Sequence, residues 1–201
     1  MDGVIFDTIH LSKKALMESH PGITEEQYSE LHTGNFHEEI KKYSHLKTEL
    51  TDEEEEKRKV AYSESKSKST IFDGMKDLLV DLHKLGVILV LNTSAYNRNC
   101  LPLLEVSSMT NLFDFVADAD LSKSKVEKFD LIVHRYNLAK EELLFVTDAV
   151  GDVVEAETAG IPTIAVTWGA SSEAHFKKEN YRYLKQIVNT VSDLRNSLIK
   201  F

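Results

Sequence analysis

At 201 residues, with 42% hydrophobic and 28% charged side chains but only 3 Pro and 8 Gly, the chain is long enough to bury a core, and disordered or fibrous organisation is excluded. A balance of 24 Lys plus Arg against 33 Asp plus Glu leaves a formal charge of −9, which argues against nucleic acid and anionic lipid as partners. No apolar run approaches bilayer length, the single Cys100 cannot form an internal disulfide, and no basic-then-apolar leader opens the chain, so the expected location is the cytoplasm.

Residues 10–69 carry no convincing strand and two or three amphipathic helical patterns. Thr24 with Gln27, Asn35 with Glu38 and Thr51 with Glu54 have the spacing of helix starts, a short oxygen-bearing side chain three residues before a longer polar one. Glu53, Glu54 and Glu55 precede Lys57, Arg58 and Lys59 by four residues, the pattern of a solvated helix face laced by local pairs. Residues 63–69 read as a polar linker. From Phe72 onward, short β-branched runs at residues 87–91, 115–117, 143–147 and 163–167 alternate with helical patterns, the signature of a parallel α/β sheet. Ser124 with Glu127 and Asp152 with Glu155 read as capping boxes, and Gly86 and Gly160 fall where helices must stop before a strand.

Ligands of open parallel sheets bind at the carboxyl ends of the strands. Residues 87–91 are followed by Asn92, Thr93 and Ser94, residues 143–147 by Asp148 and then Asp152, and residues 163–167 by Trp168 and Gly169. Lys125 stands at the first position of a helix capped by Ser124, where a cation opposes the helix dipole unless an anion lies nearby. Carboxylates, hydroxyls and a lysine on one rim suit a magnesium ion and a phosphoryl group. Bland roles are available to each: Asp152 as a helix cap, Thr93 as a strand-end turn with Ser94 able to replace it, Lys125 as a surface cation, Asp7 and Thr8 as turn residues, and the histidines as surface or helix residues.

In chain order, Asp2-Gly3-Val4-Ile5-Phe6-Asp7-Thr8, Thr93, Lys125 and Asp148-Ala149-Val150-Gly151-Asp152 resemble the four motifs of the haloacid dehalogenase superfamily. The resemblance covers nearly the whole chain and is similar in organisation to the capped, phosphoglycolate phosphatase-like branch. It implies a doubly wound Rossmann-like core from residues 1–9 and 70–201, a helical cap from residues 10–69, and a magnesium-dependent phosphatase acting on a small phosphorylated metabolite, as a monomer or homodimer. By that resemblance Asp2 is the general acid/base and a magnesium ligand through its carbonyl. Thr93, with Ser94, and Lys125 bind the phosphoryl group, Asp148 holds the metal and Asp152 supports it. A phosphomutase and a non-catalytic binding protein of the same fold are the alternatives. A dehalogenase fits Asp2-Gly3 and Asp148 less well, and a receiver domain needs no sixty-residue insert.

The family's attacking aspartate precedes Asp2 by two positions, so it falls one residue before Met1, and so does the apolar central strand that leads to it. Such a strand contributes ladder hydrogen bonds at about 1 kcal/mol each. Its buried side chains add about 1.5–3 kcal/mol apiece, together comparable to a net stability of about 5–15 kcal/mol. The expectation is therefore a reading frame begun at an internal methionine, with residues 87–91 and 143–147 flanking an empty or makeshift slot and with turnover confined to a longer parent.

Overall fold

The computed structural model describes residues 1–199. Five helical segments come first: α1 (Ile9–Ser19), α2 (Glu25–Glu30), α3 (Phe36–Glu39), a 3-10 stretch (Ile40–Leu46) and α4 (Asp52–Lys66). Thr24 and Thr51 cap α2 and α4, each hydroxyl accepting from the backbone N–H three residues on while that residue's side chain accepts from the cap N–H. Ile23, Tyr28 and Leu31 give this cap its own small core, flanked by Leu16, Phe36 and Ile40. α4 runs to Lys66, so half of the expected linker is helix: no Gly or Pro interrupts it, and the Ser63 hydroxyl anchors it to Arg98 O of the core at 2.8 Å. The two chain crossings between cap and core lie side by side, Asp7 N donating to Thr70 O and Phe6 bridging Ile71.

The remainder alternates: α5 (Met75–Lys84), β1 (Val90–Asn92), α6 (Asn97–Val106), β2 (Phe115–Ala117), α7 (Lys125–Tyr136), β3 (Phe145–Thr147), α8 (Val150–Ala159), β4 (Thr163–Val166), α9 (Glu173–Phe176), β5 (Leu184–Val188) and α10 (Val191–Leu198). All strand pairs are parallel, β1 with β2 and β3 with β4 and β5, as the alternation predicts. β1 is shorter than residues 87–91. Gly86, at φ +78°, ends the α5 turn, Val87 N donates back to Leu82 O, and Leu89 N is taken by the Asp114 carboxylate, which leaves Val87 and Ile88 exposed. β5 is not among the strands expected from the sequence; it is a sheet edge, with Lys185 and Gln186 exposed.

Among the described residues no strand joins β1 to β3, and the sheet is split in two. Residues 1–6 do not fill the gap as a strand; they close a tight turn in which Ile5 N and Phe6 N both donate to Met1 O. Side chains bridge the halves instead. Met1, Val4, Ile5 and Phe6 pack with Leu89 and Leu91 from one sheet and Ile164 and Val166 from the other. No described helix is long and apolar enough to cross a membrane.

Candidate functional site

A cavity of about 370 Å³ lies between the cap and the ends of β1 and β3, and Asp2, Thr93, Ser94, Lys125, Asp148 and Asp152 all line it. Lys125, in the first turn of α7, is buried and donates to Ser94 Oγ at 2.7 Å while standing 3.1 Å from Asp152 Oδ1. Asp152 in turn accepts from Thr147 Oγ1 at 2.6 Å. Its carboxylate is thereby consumed, and the capping box expected with Glu155 does not form: α8 starts after Ala149 with no side-chain cap, and Asp152 sits inside its first turn. Glu155 instead accepts from Lys125 N at 2.8 Å. Thr93 Oγ1 accepts from Ala95 N at 3.2 Å, the strand-end turn role, so its hydroxyl still has capacity toward the cavity.

Lys128 belongs to the same construction although sequence reasoning passed over it. One helical turn after Lys125, it is buried, donates to Thr93 O at 2.7 Å, and burial pushes its ammonium down to about 8. The three-residue spacing to Lys125, on one face of α7, was the available signal.

Asp148 is buried at 6% exposure, accepts from Ala170 N at 2.7 Å, and makes no ion pair with a described lysine or arginine. Burial pushes its carboxyl up to about 6 against the effect of that hydrogen bond. Two glycines shape its niche. A Cβ on Gly3 would lie 1.9 Å, and one on Gly169 2.2 Å, from Asp148 Oδ2.

Asp2 faces Lys66 Nζ at 2.8 Å and the hydroxyl of Thr8. Burial works against its ionisation, but the Lys66 charge and these hydrogen bonds hold its carboxyl below the ordinary range. Thr8, expected as a turn residue, spends its hydroxyl on Asp2 rather than on capping α1. Lys66 is fully buried, and nothing in a Ser- and Lys-rich stretch distinguishes it beforehand.

The three predicted metal residues share one cavity; the Asp2 carboxylate, expected as acid/base rather than as ligand, is engaged by Lys66, and of the two expected metal carboxylates Asp152 is engaged by Lys125. Among the described residues no three His, Cys, Asp or Glu side chains are placed to hold one metal ion together. Asp148 alone, a buried carboxylate without a cationic side chain, has the chemistry of a hard-cation ligand.

The cap closes onto this rim at the turn 33–35. Gly151 N donates to His32 O at 2.8 Å, and Asn35 Nδ2 donates to Lys123 O at 2.9 Å and to Glu155 at 3.0 Å. A Cβ on Gly151 would lie 2.0 Å from Gly34 O, so this glycine lets cap and core backbones meet. His37 Nε2 lies 3.1 Å from Ser94 O, and His32 and His37 both line the cavity. Of the histidines expected as surface or helix residues, His37 is in helix α3 as expected, yet it and His32 also face the cavity: Tyr28, His32, Phe36 and His37 stack successively into the closure, and burial lowers both imidazole pKa values.

The model of the haloacid dehalogenase-like hydrolase family matches residues 1–166. The chain belongs to that family. A curated relative, the tyrosine-protein kinase PtkA of Mycobacterium tuberculosis, is 29% identical over 133 residues, 65% of this chain and 45% of its own length. Phosphoglycolate phosphatase of Pseudomonas putida is 30% identical over 112 residues, 54% of this chain and 41% of the enzyme. The chain thus spans under half the length of these two curated relatives. Two solved structures share the haloacid dehalogenase-like fold throughout. A hydrolase from Pseudomonas syringae has TM-score 0.79 at 17% identity, over 100% of this chain and 95% of that one. CbbY from Rhodobacter sphaeroides in complex with phosphate has TM-score 0.74 at 17% identity, over 96% and 93%.

Proposed function

We propose that this cavity binds a small phosphorylated metabolite and that the protein is built for phosphate-ester hydrolysis. The observation that carries the reading is the buried Lys125 ammonium held on Ser94, beside Thr93 and across the cavity from Asp148. Lys125, Ser94 and Thr93 hold the phosphoryl oxygens and offset charge that develops on them. Asp148 is the carboxylate for a divalent cation such as Mg²⁺, which supplies Lewis-acid stabilisation when bound.

Asp2 is the proton donor to the leaving oxygen. Paired with Lys66, it is a poor acid. Because Lys66 belongs to the last turn of the cap helix α4, a cap that swings on residues 8–10 and 67–71 withdraws Lys66 and lets Asp2 take up a proton. Reclosure excludes water from the phosphoryl group.

In this reading the attacking carboxylate is not among the described residues, and the 201-residue chain binds without turning over. The test is magnesium-dependent hydrolysis of p-nitrophenyl phosphate by the 201-residue chain and by a version extended at Met1 with an apolar strand ending in Asp-x. Turnover by the extended version alone is expected. Robust hydrolysis by the 201-residue chain that survives Asp2→Asn refutes the assignment. The commitment of Asp2 and Asp152 to lysines favours a second reading, a protein that binds the phosphorylated ligand without turning it over.

A further inference from the structure

Two lysines in the first turn and a half of α7 are buried near the end of β1, at the helix end where the dipole opposes a cation, and one of them has an anion. Lys125 stands 3.1 Å from Asp152. Lys128, 1% exposed, makes no ion pair with a described carboxylate, and its described partner is the carbonyl of Thr93 at 2.7 Å. A desolvated charge in that state is expensive unless an anion comes within its field.

Thr93 O and Ser94 N are the two ends of one peptide unit. The other polar atoms of Ser94 are engaged, Oγ by Lys125 and O by His37 Nε2, while its N–H donates to no described group, and Thr93 and Ser94 both line the cavity. A cation that donates to a carbonyl draws electron density along the amide, which makes the N–H at the far end a stronger donor. We infer that Lys128 is a positioning residue of the phosphoryl site: its charge, carried through the Thr93–Ser94 peptide, prepares Ser94 N–H to donate to a phosphoryl oxygen. The inference rests on the phosphate-binding reading of the core wall and adds to it a cation that makes no contact with the ligand.

Titration separates that charge from the hydrogen bond. Burial first, and the Lys125 charge second, bring the Lys128 ammonium down to about 8 against the opposing pull of Asp152 and Glu155 on α8 and of Asp118 after β2. His37 of the cap, lowered chiefly by burial, faces the same ammonium. Above that pH the neutral amine still donates to Thr93 O, so the tether stays while the charge is lost.

The test is titration calorimetry of the 201-residue chain with sulfate, a dianion throughout, from about pH 7 to about pH 9.5. Wild-type affinity is expected to fall about tenfold across this range. Lys128→Gln, a neutral donor, is expected to bind about tenfold more weakly at pH 7 with no further loss, and Lys128→Arg, whose cation does not titrate, to hold the neutral-pH affinity throughout. The Met1 ammonium also lines the cavity and is common to all three proteins, so their differences report Lys128. Should neither variant fold, reciprocity decides on the wild type: a tenfold loss of affinity requires sulfate to raise the Lys128 pKa by about one unit, read from the lysine Cε resonance that titrates near 8. A wild-type affinity independent of pH, a pH dependence that Lys128→Gln retains, or a lysine titration that sulfate leaves in place overturns the inference and leaves the core-wall reading standing. Absence of binding by sulfate and by inorganic phosphate overturns the core-wall reading, and the role of Lys128 with it.

Discussion

Asp148→Asn isolates the cost of the buried carboxylate. In the wild-type chain burial raises the Asp148 carboxyl from an ordinary 3.8 to about 6. At about 1.4 kcal/mol per pH unit this is a penalty of about 3 kcal/mol on the folded state. Since the folded-state pKa is the higher one, the penalty is absent below about pH 4, grows as pH rises through 6, and is complete above 7. Asparagine imitates the protonated acid in shape and still accepts from Ala170 N, so it carries no such penalty. Urea denaturation without divalent cations should show Asp148→Asn more stable than wild type by about 2–3 kcal/mol at pH 8 and within about 0.5 kcal/mol of it at pH 4. The comparison cancels groups that do not interact with Asp148; the Met1 ammonium, which does, is part of the difference measured. With magnesium added, the wild type alone should gain stability, because a cation that binds the folded state shifts the equilibrium by mass action. An Asn variant less stable than wild type at pH 8, or a difference independent of pH, refutes the account of Asp148 as a buried carboxylate whose desolvation outweighs the help of Ala170 N and the Met1 ammonium.

Lys66→Met should destabilise the fold by about 2–3 kcal/mol, below the usual cost of breaking a fully buried pair because Asp2 keeps 23% of its side chain exposed, and Asp2→Asn should restore most of the loss in the double variant, read from urea midpoints. Gly169→Ala should cost about 1–3 kcal/mol and displace the Asp148 carboxylate, since the new Cβ would stand 2.2 Å from its oxygen and 2.5 Å from Gly3 O; unchanged thermal stability would show that the niche yields freely.

The order of helices and strands, the three cap starts and the rim positions of Thr93, Ser94, Lys125, Asp148 and Asp152 were legible because each depends on local rules: capping chemistry, β-branched runs and strand ends. Lys66, Lys128 and Arg58 were not. Each is a cation in a charged or Ser-rich stretch: Lys66 and Lys128 are turned inward by long-range partners, Asp2 and Thr93 O, while Arg58 pairs locally with Glu55 and reaches the cavity only because α4 packs with that face inward. Asp152 shows the same limit in reverse. Its spacing to Glu155 matches a capping box, but Lys125 and Thr147 compete successfully for its oxygens. β5 escaped notice because, at the sheet edge, two consecutive polar side chains, Lys185 and Gln186, interrupt the continuous apolar run that marked the buried strands.

No backbone hydrogen bond joins β1 to β3 among the described residues, and the molecule therefore has a mechanical seam. Thr93 and Ser94 stand on one lip of it, Asp148 and Asp152 on the other. Sliding or widening along the seam breaks no ladder; apolar side chains resist it, and they are non-directional springs. At the mouth, Lys125 spans the lips, with Ser94 on one side and Asp152 on the other. The cap repeats the link from above, His32 O taking Gly151 N on one lip and His37 reaching Ser94 O on the other, so that motion along the seam is coupled to motion of the cap.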